Sequence, residues 1–133
     1  MIRAIADTHT IIWYLFADSR LSLTVKNTIE QIANDGYQVG ISSITLTEIV
    51  YLEEKNRIPK NTLKILLFEL DKQDSILKEI PLDRNIVANL IKVRRIEIPD
   101  LLDRIIAASA LYLKVPVISR DNKIQTSSID SIW

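Results

Sequence analysis

The chain has 133 residues, of which 47% are hydrophobic, and its 17 basic side chains balance its 17 acidic ones. This length suits a single domain over residues 1–133, and the apolar content excludes a disordered chain. A zero net charge is unusual for a domain that mainly binds duplex nucleic acid, and two glycines are too few for a dinucleotide-binding or phosphate-binding glycine loop.

Compartment and membrane association follow from composition. The chain has no cysteine, which removes disulfides, thiolate zinc sites and cysteine nucleophiles. Charges interrupt every apolar run before it reaches the roughly 18–20 residues of a membrane span. Arg3 and Asp7 within and after the first apolar run do not fit a signal peptide. We therefore expect a cytoplasmic protein without a membrane segment.

The first elements alternate between short apolar runs and helical patterns. Ile2–Ala6 predicts a buried strand, and Thr10–Phe16 predicts a buried helix because it is apolar nearly all round. Ser22 is the expected N-cap of a second helix, and Gly36 suits its end. Val39–Ser42 predicts the second strand.

Two further helices follow in the middle of the chain. Thr45 is expected to open the first of them, and Asn61 is expected to cap the second, after a turn at Pro59. Their predicted inner faces are Leu46, Ile49, Val50 and Leu52, and then Leu63, Leu66, Leu67 and Leu70.

The last third of the chain repeats the alternation. Ile76–Ile80 predicts a short strand or an extended connector, and Asp83 and Asp100 each precede a helical pattern. Pro116–Ser119 is the best third strand, and Ile129–Ile132 suits a short edge strand. Strands alternating with longer helices predict a three-layer α/β/α domain with a mainly parallel central sheet.

Four carboxylates occupy repeated positions in this pattern. Asp7 and Asp121 come at or just past the ends of apolar runs, whereas Glu48 and Asp103 fall early in predicted helices. In a parallel sheet such positions gather at the carboxyl ends of the strands. Acids gathered in one crevice repel one another unless divalent cations neutralise them, so the pattern indicates Mg²⁺ or Mn²⁺.

Each acid alone also has a local explanation. Asp7 can cap the helix that follows it, and Glu48 can complete a capping box with Thr45. Asp103 suits the positive end of its helix, and Asp121 suits a turn. These explanations do not account for the convergence of all four acids on one end of the sheet.

The segments around the acids resemble PIN-domain ribonucleases, especially the VapC-like toxins of prokaryotic toxin–antitoxin pairs. The resemblance lies in Asp-Thr-His-Thr-Ile-Ile-Trp at 7–13, Ser-Ser-Ile-Thr-Leu-Thr-Glu at 42–48, Asp-Leu-Leu-Asp-Arg-Ile-Ile-Ala-Ala at 100–108 and Val-Ile-Ser-Arg-Asp at 117–121. The four segments follow the family's order, and the resemblance spans essentially the whole chain. One departure is Leu101-Leu102, where many relatives have a Pro-Phe pair.

The resemblance implies a toxin that is a metal-dependent endoribonuclease and leaves 5′-phosphate and 3′-hydroxyl ends. It assigns the metal centre to Asp7, Glu48, Asp103 and Asp121, with Mg²⁺ or Mn²⁺ as the cofactor. Thr8 and Ser119 match small hydroxyl positions that hold an acid or a water. It also implies a cognate antitoxin, a homodimer, and RNA as substrate, for which a single strand or loop best fits a narrow crevice.

Other polar and aromatic residues are assigned more simply. Arg104 and Arg120 each adjoin a site acid, so they are expected either to pair with a carboxylate or to contact a substrate phosphate or a partner. His9, at a variable family position, is expected to be structural or solvated rather than a metal ligand. Trp13 is expected in the core rather than on a base-stacking surface.

Several other functions can be weighed against the sequence. The main alternative is a weakly active or inactive PIN-fold interaction module in RNA processing, although all four acids are present. An aspartyl-phosphate phosphatase needs a second Asp where His9 stands, and a receiver domain needs paired acids at the first strand. A serine hydrolase would need its Gly-x-Ser-x-Gly turn, which is missing.

Overall fold

The computed structural model describes all 133 residues and alternates strands with helices. In chain order the elements are β1 (Ile2–Ala6), α1 (Thr8–Leu15), α2 (Leu23–Asn34), β2 (Gln38–Ser42), α3 (Ser43–Glu54), α4 (Thr62–Asp71), β3 (Leu77–Ile80), α5 (Arg84–Leu90), α6 (Leu101–Leu113), β4 (Val117–Ile118), α7 (Asn122–Gln125) and β5 (Ser131–Ile132).

The five strands form one sheet in the order β3-β2-β1-β4-β5, and every neighbouring pair is parallel. The chain moves from β1 to β2 and β3 on one side, and later returns to β4 and β5 on the other side of β1. This reversal makes the carboxyl ends of β1 and β4 a topological switch point, where open α/β sheets hold their ligands.

Two hydrophobic clusters cover the two faces of the sheet. Along β1, Ala4 and Ala6 belong to the cluster formed with α1 to α4, whereas Ile5 belongs to the cluster formed with α5 and α6. This alternation follows from the two-residue period of a strand. The predicted three-layer α/β/α fold with a parallel sheet is confirmed. None of its helices has both the length and the apolar character needed to cross a bilayer.

Most predicted boundaries lie within two residues of the observed ones. Helix α1 begins at Thr8 rather than Thr10, because Asp7 is its N-cap. Ser22 caps α2 by accepting from the Val25 amide, and Gly36, with φ of +80°, follows its end as expected. The segment at Ile76–Ile80 is a strand and not a connector.

The start of α3 is where the sequence prediction was wrong. Ser42 caps this helix by accepting from the Ile44 amide, so Thr45 lies inside it and the capping box with Glu48 does not form. Val50, predicted on the inner face of this helix, is exposed. The α4 prediction is also only partly correct, because the Asn61 side chain makes no capping bond and Leu67 is exposed.

Candidate metal centre

The switch point brings Asp7 and Asp121 together through a serine. Ala6 at the end of β1 pairs with Ile118 at the end of β4, so the next residues, Asp7 and Ser119, are neighbours. The Ser119 hydroxyl donates to Oδ2 of Asp7 at 2.5 Å and accepts from the amide of Asp121 at 3.0 Å. One hydroxyl therefore links two of the predicted acids.

Asp7 is the most constrained acid of the group. Its Oδ1 accepts from the Thr10 amide at 2.9 Å, and only 7% of the residue is exposed. Each carboxylate oxygen accepts one bond from the protein and keeps a second lone pair. Asp7 is thus held in one orientation and can still ligate a cation.

Helix α6 contributes two carboxylates rather than the one that was predicted. Asp100 is the N-cap, and its Oδ1 accepts from the Asp103 amide at 3.0 Å. The sequence predicts for Asp100 only a place at the start of a helix, but the residue also lines the crevice with Asp103. Residues three apart on a helix face the same side, which is the signal that could have indicated this fifth acid.

Glu48 reaches the crevice from the second turn of α3, not from its first turn. Thr8 at the start of α1 forms a hydrogen bond of 3.1 Å with Thr45, which lies one turn before Glu48. Both threonines are buried. Thr8 therefore joins α1 to α3 near Glu48, and the structure has no hydrogen bond between Thr8 and an acid.

Together these side chains form a polar crevice of about 310 Å³. It is lined by Asp7, Thr8, His9, Trp13, Glu48, Asp100, Asp103, Arg120 and Asp121. All four acids predicted from the sequence are present, and they come from the junction of β1 and α1, from α3, from α6 and from the segment after β4.

The crowding of charge is strongest at Asp103. The pKa of this carboxyl is raised from its ordinary value of 3.8 to about 7. The largest cause is burial, which disfavours the charged form. The remaining causes are the like charges of four surrounding acids, namely Asp100, Asp121, Asp7 and Glu48.

The donor set fits a hard divalent cation. Carboxylate oxygens are the ligands that Mg²⁺ and Mn²⁺ prefer, and the like charges that raise the pKa of Asp103 are those a cation would offset. In their present rotamers, however, no three acids have the spacing of ligands of one ion. Asp7 is fixed by its hydrogen bonds, and Oδ1 of Asp121 accepts from the Lys123 amide at 2.7 Å as the N-cap of α7. The Asp103 carboxylate is partly exposed and accepts no hydrogen bond, so it has room to turn towards them.

Arg104 does not line the crevice and forms no ion pair with a carboxylate. Its guanidinium donates from Nη2 to the carbonyls of Leu90 and Val93, each at 3.0 Å, and its Nε is buried without a partner. Adjacent helix residues point in different directions, so Arg104 faces α5 while Asp103 faces the acids. Arg104 thereby fixes the end of α5 against α6.

Arg120 does line the crevice, beside an aromatic ring. Its guanidinium carbon lies 5.6 Å from the centre of the Trp13 ring. The Arg120 side chain forms no ion pair. Trp13 is buried in the core, as expected, but it also borders the crevice. His9 packs on Trp13 with ring centres 5.9 Å apart.

Comparisons with known proteins agree with this architecture. Solved structures with a similar fold include the DNA-bound VapBC2 complex of Rickettsia felis, at 18% identity and a TM-score of 0.72 over 99% of this chain and 98% of that one. The DNA-bound VapBC of Salmonella typhimurium is 20% identical with a TM-score of 0.71, covering 99% of this chain and 98% of that one. A toxin–antitoxin complex from Klebsiella pneumoniae is 23% identical with a TM-score of 0.64, covering 98% and 96%.

A search of proteins with curated functions finds no match in sequence. The family model of the PIN domain, in contrast, matches residues 4–127, which contain every acid of the crevice. The chain therefore belongs to the PIN domain family.

Proposed function

We propose that the protein is a divalent-metal-dependent endoribonuclease and the toxin of a toxin–antitoxin pair. The observation that supports this most is the convergence of five carboxylates on one crevice at the switch point of the sheet. A structural role alone does not require so many like charges in a partly buried site, where they repel one another.

The proposed ligands are Asp7 and Asp103, with Asp121 sharing the ion. Ser119 is a positioning residue in this scheme, because it orients Asp7 and the backbone of Asp121 at once. Glu48 accepts no hydrogen bond in the structure, so its oxygens are free either to ligate or to take a proton from water.

A divalent ion bound to these acids supplies charge neutralisation, activation of water and stabilisation of the leaving oxygen. The chain's own residues supply position and charge around it. Asp7 is held in place from two sides, and Arg120, the one arginine that lines the crevice, offers its guanidinium to an RNA phosphate. A single strand is the proposed substrate, since an exposed backbone can enter so narrow a crevice.

A cleavage assay with purified protein and single-stranded RNA tests the enzymatic proposal. We expect internal cuts in Mg²⁺ or Mn²⁺, no cuts in EDTA, and products with 5′-phosphate and 3′-hydroxyl ends. Cyclic 2′,3′-phosphate ends would contradict the mechanism, because they arise when the RNA's own hydroxyl attacks. A protein that binds RNA but cuts nothing with any divalent ion would be the interaction module instead.

We further propose that an antitoxin inhibits the protein by placing a cation in the acid crevice. The similar folds in complexes described as toxin–antitoxin or VapBC support a partner of this type. The charge argument supports the docking site, because a Lys or Arg of another chain can neutralise the acids in place of metal.

Co-expression with the partner encoded beside it tests this mechanism. We expect growth arrest when the protein is expressed alone, relief of the arrest by Asp7→Asn, and crosslinks from the partner to residues around the crevice. Crosslinks confined to the opposite end of the sheet, with metal access unchanged, would reject the docking site. Harmless expression of active protein would remove the toxin assignment.

The proposed homodimer is tested by light scattering on the same purified protein. We expect the mass of two chains, and the mass of a single chain would exclude the dimer.

A further inference from the structure

A second depression continues directly from the acid crevice. It has a volume of about 500 Å³ and shares His9, Trp13 and Glu48 with the crevice. We call this depression the aromatic groove, and its remaining walls come from α1, the residues just after it, α3 and the segment 57–59. Any polymer whose backbone enters the crevice would have to continue along an adjoining surface, and the groove is such a surface.

The groove exposes aromatic faces. Tyr51 on α3 is 54% exposed, and Phe16 after α1 is 37% exposed although Phe is usually buried. His9 is also exposed, at the junction of groove and crevice. Flat rings of this kind stack on unpaired bases, whereas the bases of a duplex are already stacked on one another.

Positive charge accompanies the rings along the groove. The structure has two ion pairs, Arg20 with Asp18 and Lys72 with Glu69, so Arg57 in the groove and Arg120 in the crevice have no carboxylate partner. The ammonium of Lys55 lies 5.4 Å from the centre of the Tyr51 ring. Unpaired cations beside exposed rings are the combination that binds the phosphates and bases of a single strand.

Arg20, near the junction of groove and crevice, is paired with a carboxylate and therefore does not offer a free positive charge. Its guanidinium binds Asp18 at 2.8 Å and lies 5.1 Å from the centre of the Trp13 ring. Asp18 is thereby neutralised, so no unpaired carboxylate other than Glu48 repels phosphates from the groove. The negative charge is concentrated in the crevice, where a cation would offset it.

We propose that the aromatic groove binds the nucleotides of single-stranded RNA that flank the scissile phosphate, with a base on Tyr51 and phosphates on Arg57 and Arg120. This inference rests on the proposed ribonuclease function. It assigns to Tyr51 and Arg57 a role in substrate affinity that the acids do not have. Both residues are exposed side chains, so replacing them leaves the core intact.

Binding of a fluorescent single-stranded RNA 12-mer tests the groove without requiring cleavage. In an Asp7→Asn background, Tyr51→Ala is expected to weaken binding about tenfold, as the loss of one stacked base does. Arg57→Gln is expected to weaken binding and to lower the slope of log affinity against log salt by about 0.7, the effect of one lost phosphate contact. Tyr112→Ala and Lys114→Gln, exposed at the other end of the sheet, are the matched controls and are expected to change neither quantity.

In active protein the same two substitutions are expected to raise KM for the 12-mer with little change in kcat. RNA affinities equal to those of the controls would overturn the groove proposal, and so would groove substitutions that abolish only binding of the protein partner. Failure of the ribonuclease function is a separate result: active protein would then cut no RNA in Mg²⁺ or Mn²⁺, while the binding series still decides the groove.

Discussion

Asp7→Asn and Asp103→Asn are each expected to reduce RNA cleavage by more than about 100-fold. Replacing a residue that only hydrogen-bonds to a metal ligand already costs about 10- to 100-fold in affinity or activity, and replacing a ligand itself should cost more. Ser119→Ala is expected within that smaller range, because it removes the hydroxyl that orients Asp7 but leaves every carboxylate in place. The measurement is kcat/KM for RNA in Mg²⁺ and in Mn²⁺.

The two Asn substitutions should affect stability differently. Asn is as good an N-cap as Asp, so Asp7→Asn keeps the bond from the Thr10 amide and the start of α1. Asp103→Asn removes a partly buried charge among like charges and should raise the melting temperature at neutral pH. Asp74→Asn, an exposed carboxylate outside the crevice, is the control for both. Full activity in both site variants would reject the metal mechanism.

The second large effect is a dependence of stability on pH that Asp103 causes. With a folded pKa of about 7 against an ordinary 3.8, the folded protein holds a proton that the unfolded chain releases between these values. The stability that this proton contributes is fully present below pH 3.8 and is lost as the pH rises to about 7. In EDTA, the melting temperature of the wild type should therefore fall relative to that of Asp103→Asn across this range, and stay lower above it.

Adding Mg²⁺ or Mn²⁺ above pH 7 should reverse the difference. An ion that binds only the folded state stabilises it, and Asp103→Asn should gain less because it lacks a ligand. Thermal melts of both proteins from pH 4 to pH 8, with and without metal, measure the effect. A difference between the two proteins that does not change with pH would contradict the assigned environment of Asp103.

The fold could be predicted from the sequence where local patterns were unambiguous. Ile2–Ala6 was predicted with its observed bounds, since a strand covered on both faces is a continuous apolar run that an acid then ends. The start of α3 could not be predicted, because Ser42, Ser43 and Thr45 all carry hydroxyls that can cap a helix. Pairing of β2 with β3, a long-range contact, decides among them, because Ser42 pairs with Ile80 and β2 therefore extends to Ser42.

The acids of the site could be predicted from the sequence for the same reason, since each stands at the end of a strand or near the start of a helix. Arg104 follows Asp103 in sequence but does not line the crevice, because adjacent residues of a helix point in different directions. The aromatic groove could not be predicted at all. Its walls combine Phe16, Tyr51 and Arg57 from separate elements, and only the packing of α1 against α3 brings them together.

The central claim is that the carboxylates of this crevice hold a divalent cation, and anomalous diffraction from a crystal soaked in Mn²⁺ tests it most directly. We predict an anomalous peak in the crevice within ligand distance, roughly 2.0–2.6 Å, of carboxylate oxygens of both Asp7 and Asp103. The peak should be absent from crystals of Asp103→Asn treated in the same way. Well-diffracting wild-type crystals with no peak at these acids, or with a peak only elsewhere on the surface, would contradict the account.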